Sequence, residues 1–166
     1  HHINRWFRPP TSFADFVYKS QQTQAIAMQI AIQSHRQQSP HNMGTLFWQL
    51  NDCWPGPSWS VIDYYGNEKV AYKTVVENYK PIIAVLDSDE MEVEIISDIN
   101  ISFNGKIILK NKLETFSKKV TFKNQKRLKV IINKGFFKNI GKTIIVELLK
   151  NDVTIYRDTV YIKQHN

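Results

Sequence analysis

From Phe13 to about Arg36 the chain has no Gly or Pro, and Phe13, Phe16 and Val17, then Ala25, Met28 and Ile32, recur at three- and four-residue steps. That spacing predicts one apolar face of an amphipathic helix, ~34 Å long at 1.5 Å per residue. Gln21, Gln22, Gln24, Gln29 and Gln33 fall mostly on its polar side. Pro9-Pro10 blocks helix before it, and Thr11-Ser12 offers an N-cap. Ser12 with Asp15 three residues on is a weaker form of the capping box, in which side chains satisfy otherwise unpaired backbone N–H groups. A loop at Ser39-Pro40-His41-Asn42 follows, then the apolar run Thr45–Leu50, which predicts a short buried strand. Pro55, Gly56 and Pro57 force a loop, and Asp63–Asn67 reads as a turn. Glu68 to Tyr79 predicts a second helix with Val70, Tyr72, Val75, Val76 and Tyr79 as its apolar positions, ended by Pro81.

After Pro81 the pattern changes. Ile82–Leu86, Glu90–Ile96, Lys106–Leu109, Lys118–Phe122, Lys126–Ile132, Thr143–Leu149 and Val153–Ile162 are β-rich, and several alternate apolar and polar. Turn residues lie between them at Asp87-Ser-Asp89, Asn104-Gly105, Asn139-Ile-Gly141 and Asn151-Asp152. Seven short strands with turns at this spacing predict an antiparallel sandwich of immunoglobulin type. The expected class is α/β plus all-β, divided into residues 1–81 and 82–166. The first part does not close on its own: a lone strand of parallel type leaves backbone groups unpaired, which costs free energy. Its neighbours are expected to be missing from this chain or to be supplied by another.

Composition narrows this reading. The apolar share, 42%, suits a globular chain with a core. No apolar run approaches the ~20 residues that span a bilayer, so no membrane partner is expected. No secretory leader is visible, and His1-His2 reads either as native sequence or as a tag remnant. Net charge is +7; residues 1–83 carry 7 basic and 5 acidic side chains, and residues 84–166 carry 15 and 10. The excess is spread as single lysines among apolar residues, with small clusters at Lys118-Lys119 and Lys126-Arg127. Nucleic acid calls for a denser stripe and a recognisable motif; the expected role is solvated strand faces that deter edge pairing. The single Cys53 cannot form an internal disulfide and is read as a small buried hydrophobe. His1, His2, His35, His41 and His165 lack metal-ligand spacing. Gly44, Gly56 and Gly66 are isolated rather than a phosphate loop. No cofactor is expected. Asn100-Ile-Ser102 is a formal glycosylation triplet, read as a solvated turn.

Residues 44–66 hold the candidate chemistry: three of the four tryptophans, the cysteine, and Asn51-Asp52 directly after an apolar run. Apolar walls with a few placed polar groups are what a small-molecule site requires. The stretch Gly44-Thr-Leu-Phe-Trp-Gln-Leu-Asn-Asp-Cys-Trp-Pro55, followed by Ser58-Trp-Ser-Val-Ile-Asp-Tyr-Tyr-Gly66 and Lys69, closely resembles the end of the catalytic barrel in β-mannosidases of glycoside hydrolase family 2. Phe16-Val-Tyr-Lys-Ser-Gln-Gln-Thr-Gln-Ala25 and His35-Arg36 are similar to that family's penultimate barrel helix. The match covers roughly residues 11–81; residues 82–166 resemble the following immunoglobulin-like domain in pattern and position only.

The resemblance implies the C-terminal part of a (β/α)8 barrel with Thr45–Leu50 as its last strand. Active sites of such barrels sit at the C-terminal ends of the strands. It makes Trp48 an apolar wall beside a mannosyl ring, and makes Asn51, Asp52 and Trp54 lining or positioning residues. Asp52 has a second reading, as a residue that holds the loop; Trp59 and Asp63 are read as structural. The implied partner is a β-mannoside or mannose-containing oligosaccharide. The family's retaining mechanism needs two glutamates about 5 Å apart. The acidic residues before Ala84 are Asp15, Asp52, Asp63, Glu68 and Glu77, and none matches either one. No catalytic residue is therefore expected here, and the chain alone is expected to be inactive, packing against the N-terminal part of a parent enzyme. Two alternatives stand beside this: an accessory carbohydrate-binding or scaffold β-sandwich, and another family 2 glycosidase such as a β-galactosidase or β-glucuronidase. A periplasmic or secreted location is favoured over the cytoplasm.

Overall fold

The computed structural model describes residues 2–87, 90–133, 135–136 and 143–161. It separates into two compact units, His1–Tyr79 and Lys80–Asn166. The expected turn residues Ser88, Asp89 and Asn139-Ile-Gly141, together with His1, Ile162 and His165, lie outside the described residues.

The first unit opens with a 3-10 turn, Ile3–Arg5, and is built on α1 (Phe13–Gln37) and α2 (Val70–Asn78). Ser12 caps α1: its Oγ accepts from Asp15 N at 3.1 Å. Asp15 in turn reaches back to Thr11 N at 2.9 Å. Both ends of the expected box are thus satisfied, one residue further out on the return bond. Ala25, Ile32, Val61, Ala71 and Val75 form the core, with Met28, Phe47, Ile62, Val70 and Tyr72 packed against it.

Two expectations for α1 are corrected. Phe13, Phe16 and Val17 begin the predicted apolar face, yet all three are exposed. Gln29 and Gln33 are buried rather than solvated. Gln33 Nε2 donates to Asn78 Oδ1 at 2.9 Å, and Gln21 Oε1 accepts from Val70 N at 3.2 Å. The glutamines serve as polar staples between helices, because a buried amide is tolerated only when its hydrogen bonds are made.

The predicted strand Thr45–Leu50 is likewise not assigned as a strand. It runs between the helices with alternating burial, Thr45, Phe47 and Gln49 half-buried and Leu46, Trp48 and Leu50 exposed. Such a two-residue period is that of a strand, but a ladder needs a neighbour along its length. Only its end finds one: Ile62 N donates to Leu50 O at 2.8 Å and Asp52 N to Ile62 O at 3.1 Å.

The second unit is a five-stranded antiparallel sheet: β1 (Ile82–Asp87), β2 (Glu92–Lys110), β3 (Thr115–Ile131), β4 (Thr143–Lys150) and β5 (Val153–Tyr161). The order is β1-β2-β4-β5, with β3 on the other edge of β2. Ile82–Asp87 pair with Glu92–Ser97, and Lys110–Gly105 pair with Ile145–Lys150, so β2 changes partner along its length. Irregular pairing with β3 between Ile96 and Phe103 marks the change. β5 meets β1, as Ala84 N donates to Tyr156 Oη at 2.9 Å; the ends of the sheet therefore approach each other and the sheet curls. Its concave face collects Ala84, Val93, Ile95, Ile107, Leu109, Val120, Phe122, Val130, Val146, Leu148 and Val160 into one core.

Where seven strands were expected, four of the runs fuse into two long strands. Asn104-Gly105, expected as a turn, lies inside β2. Glycine is needed there because the β4 backbone comes close: a Cβ at Gly105 would stand 2.2 Å from Leu149 O. Asn100-Ile-Ser102 also lies within β2 rather than in a turn. Asn151-Asp152 is the expected tight hairpin, with φ of 50° and 59°, the left-handed pair that a two-residue turn of this twist requires.

Candidate functional site

The segment 45–52 is held at both ends. Near its start, His35 Nδ1 lies 3.0 Å from Thr45 Oγ1, and Tyr79 Oη donates to Thr45 O at 2.6 Å. At its end the rungs to Val61 and Ile62 continue outward, where Lys69 N donates to Val61 O at 2.9 Å. Phe47 joins the apolar core. By alternation the next side chain, Trp48, faces the opposite way and is 73% exposed. Leu46 and Leu50, on the same side, are 100% and 54% exposed. One face of this segment is core, and the other is an open apolar strip with the indole at its centre. The Trp48–Gln49 peptide is cis.

Beyond Leu50 the chain enters the loop 51–60. Asn51 is exposed, and its Nδ2 donates to Asp52 O at 3.3 Å. Trp54 is 71% exposed. Among the described residues neither Trp48 nor Trp54 stacks on another ring. Cys53, expected to be buried, is exposed; the loop turns away from the core as soon as Asp52 is placed.

Asp52 is different. It is 7% exposed, and both carboxylate oxygens are bonded within the chain. Oδ1 accepts from Ser58 Oγ, and Oδ2 accepts from Lys69 Nζ at 3.1 Å. Lys69 Nζ also donates to Ser60 Oγ at 2.7 Å and to Ser58 Oγ at 3.1 Å. The Ser58 hydroxyl bond, with further help from Ser60 and Lys69, holds the Asp52 carboxyl below its ordinary value against the opposing effect of burial. The ionised form is the one that this network stabilises.

The structure thus brings Asp52 together with Ser58, Ser60 and Lys69, while Trp48, Asn51 and Trp54 present open side chains around it. The Asp52 carboxylate is bonded by the side chains of Ser58 and Lys69. Sequence reasoning missed the serines and the role of the lysine. The available signal was Ser58-Trp-Ser60, two hydroxyls flanking an aromatic, with a cation nine residues after Ser60. Asp63 accepts from Tyr65 N at 2.9 Å and Asn67 N at 2.8 Å, closing a turn at Gly66, whose φ is 84°. Its hydrogen bonds with Asn67 hold its carboxyl below the ordinary value. Among the described residues no group of His, Cys, Asp and Glu is placed to hold a metal ion, and no helix is long and apolar enough to cross a membrane.

No family model matches the chain. Curated relatives do. A β-mannosidase B of Aspergillus flavus is 40% identical over 78 residues, which is 45% of this chain and 9% of that protein. The Aspergillus niger β-mannosidase B is 37% identical over 78 residues, with the same shares. The chain is related to the β-mannosidases of glycoside hydrolase family 2. It spans about a tenth of the length of these β-mannosidases. Among solved structures, the β-D-mannosidase of Dictyoglomus thermophilum aligns over 96% of this chain and 21% of its own, with a TM-score of 0.72 and 24% identity. An exo-chitosanase of Amycolatopsis orientalis, solved with PNP-β-D-glucosamine, aligns over 99% and 21%, with a TM-score of 0.74 and 18% identity. At these identities the likeness to the solved structures is one of fold. It runs through both the helical unit and the curled sheet, so the chain shares the order of both units with much larger proteins.

Proposed function

We propose that the chain is the C-terminal part of a retaining exo-β-mannosidase, which removes terminal β-D-mannosyl residues. In this reading the segment Thr45–Leu50 is the closing strand of a (β/α)8 barrel, and residues 82–166 are the immunoglobulin-like domain that follows it in sequence. Trp48 covers the apolar C–H face of the mannosyl ring. Asn51 and Trp54 line the rim, where an amide can bond hydroxyls and an indole can cover the next apolar surface. Asp52 acts through the loop, as its carboxylate is already engaged by Ser58 and Lys69.

The carrying observation is the one-sided exposure of 46, 48 and 50 beside the buried side of Phe47. In a barrel, alternate strand residues point to the interior and to the surrounding helices. The segment packs Phe47 on helices α1 and α2 and leaves the Trp48 side free for a barrel interior and its sugar. The two glutamates that the chemistry needs would come from the rest of the parent enzyme. The purified 166 residues should not hydrolyse a chromogenic β-mannoside, while the full parent should. Turnover by the isolated chain that Asp52→Asn abolishes would overturn the assignment.

A further inference from the structure

Trp59 has a backbone fixed at three successive residues and a side chain left open. Before it, Ser58 Oγ donates to Asp52 Oδ1 and accepts from Ser60 N at 3.0 Å. After it, Ser60 is fully buried, donates to Ile62 O at 2.8 Å and accepts from Lys69 Nζ at 2.7 Å. The Trp59 carbonyl itself accepts from Gln24 Nε2 of α1 at 2.7 Å. Yet the indole is 62% exposed. A large apolar side chain on a mobile loop can fold away from water. Here the flanking hydrogen bonds fix the Trp59 backbone, and a broad apolar face stays in solvent at a cost in free energy. A rigid, exposed aromatic binds with little further ordering, which is what preorganisation supplies.

We propose that Trp59 is a further sugar-stacking residue beside Trp48 and the rim residue Trp54, held in place by the Asp52–Ser58–Ser60–Lys69 network, and that it takes the ring on the leaving-group side of the bond being cleaved. This rests on the reading of the site given above. One indole covers one pyranose ring; Trp48 is assigned to the mannosyl ring, and Trp59 lies on the loop that leaves the strand end. The ligand is a neutral pyranose: Asp52 and Lys69, the charged pair that holds this loop, are spent on each other.

The test uses the full parent enzyme with two substrates, β-1,4-mannobiose and β-mannosyl fluoride, whose leaving group has no ring. For Trp59→Ala, KM for mannobiose should rise about tenfold, as expected for losing an aromatic contact, with kcat for both substrates and KM for the fluoride essentially unchanged. Trp59→Phe keeps a smaller ring and should raise KM for mannobiose only about two- to threefold; it also serves if Trp59→Ala does not fold. Lys69→Met frees the loop and should raise KM for mannobiose in the same direction, with Lys69→Arg restoring part of it. An equal rise for both substrates, or none for either, overturns the role of Trp59 while the β-mannosidase reading stands. A wild-type parent that cleaves neither substrate overturns that reading, and this inference with it.

Discussion

Asp52 and Lys69 carry opposite charges inside a loop with little regular structure of its own, and they pair at 3.1 Å beside the Ser58 and Ser60 hydroxyls. Removing either one strands its partner, whereas neutralising both leaves no uncompensated charge. Asp52→Asn and Lys69→Met should therefore each lower the thermal midpoint, and the double variant should lose less than the two losses added. A double-mutant cycle on the purified chain reads this directly; strict additivity would show that the two groups do not act on each other. The pH dependence has a fixed sign. The folded carboxyl of Asp52 titrates below its ordinary value, so its contribution is complete above about pH 4 and disappears as pH falls through the lowered folded value. Asp52→Asn should flatten that part of the acid-stability curve. At Trp48, truncation to Ala in the parent should lower kcat/KM about 10- to 100-fold, from the 1.5–3 kcal/mol that a large apolar contact is worth. At this scale the sequence was informative about type and poor about partners. Trp48, Asn51 and Trp54 are exposed, as residues of a site rim have to be. That Asp52 faces Ser58 and Lys69 depends on a loop closing on itself, which no periodicity encodes.

Elements repeat the lesson with different physics. The helix α1 was legible because its cap and its freedom from Gly and Pro are local facts, and Ser12 caps it as local chemistry requires. Ser12→Ala should cost about 1 kcal/mol, the usual worth of an N-cap, measured by denaturant unfolding. Apolar spacing places Ala25, Met28 and Ile32 on the buried face of α1, but it also places Phe13, Phe16 and Val17 there, and these are exposed. Gln33 is inside, where Asn78 offers it a partner, and Phe13 is outside, 82% exposed. In the sheet, Asn104-Gly105 and Asn151-Asp152 look alike as turn signals. One is a hairpin with left-handed backbone; the other is a glycine that lets β4 approach β2. Two substitutions separate these meanings. Gly105→Ala forces a Cβ against the Leu149 carbonyl and should destabilise by about 1–3 kcal/mol, as overpacking does. Asp152→Gly relieves a left-handed residue and should be neutral or stabilising by a few tenths of a kcal/mol, roughly the size of such backbone effects. A neutral Gly105→Ala would overturn the close approach of β4 to β2, and a destabilising Asp152→Gly would overturn the left-handed turn.

At the scale of the whole molecule, the two units differ in how much of their own apolar surface they cover. The core of the curled sheet draws on all five strands and lies wholly between Ala84 and Val160. The helical unit buries a small cluster of five residues while leaving Phe13, Leu46, Trp48 and Leu50 in the open. Stability follows buried apolar area, and a cooperative transition needs a core that belongs to the unit itself. Residues 80–166 produced alone should therefore fold and show one cooperative thermal transition by circular dichroism. Residues 1–79 produced alone should melt without a sharp midpoint and bind a hydrophobic dye, because the strip around Trp48 has no cover in this unit. Dye binding to residues 1–79 should fall when Leu46→Ser and Leu50→Ser are introduced together, since these two side chains form the strip with Trp48. A sharp, dye-free transition for residues 1–79 would mean that the helical unit is complete as it stands. The open side of Thr45–Leu50 would then need no barrel to face, and Trp48 would lose its strongest argument for a place beside a sugar.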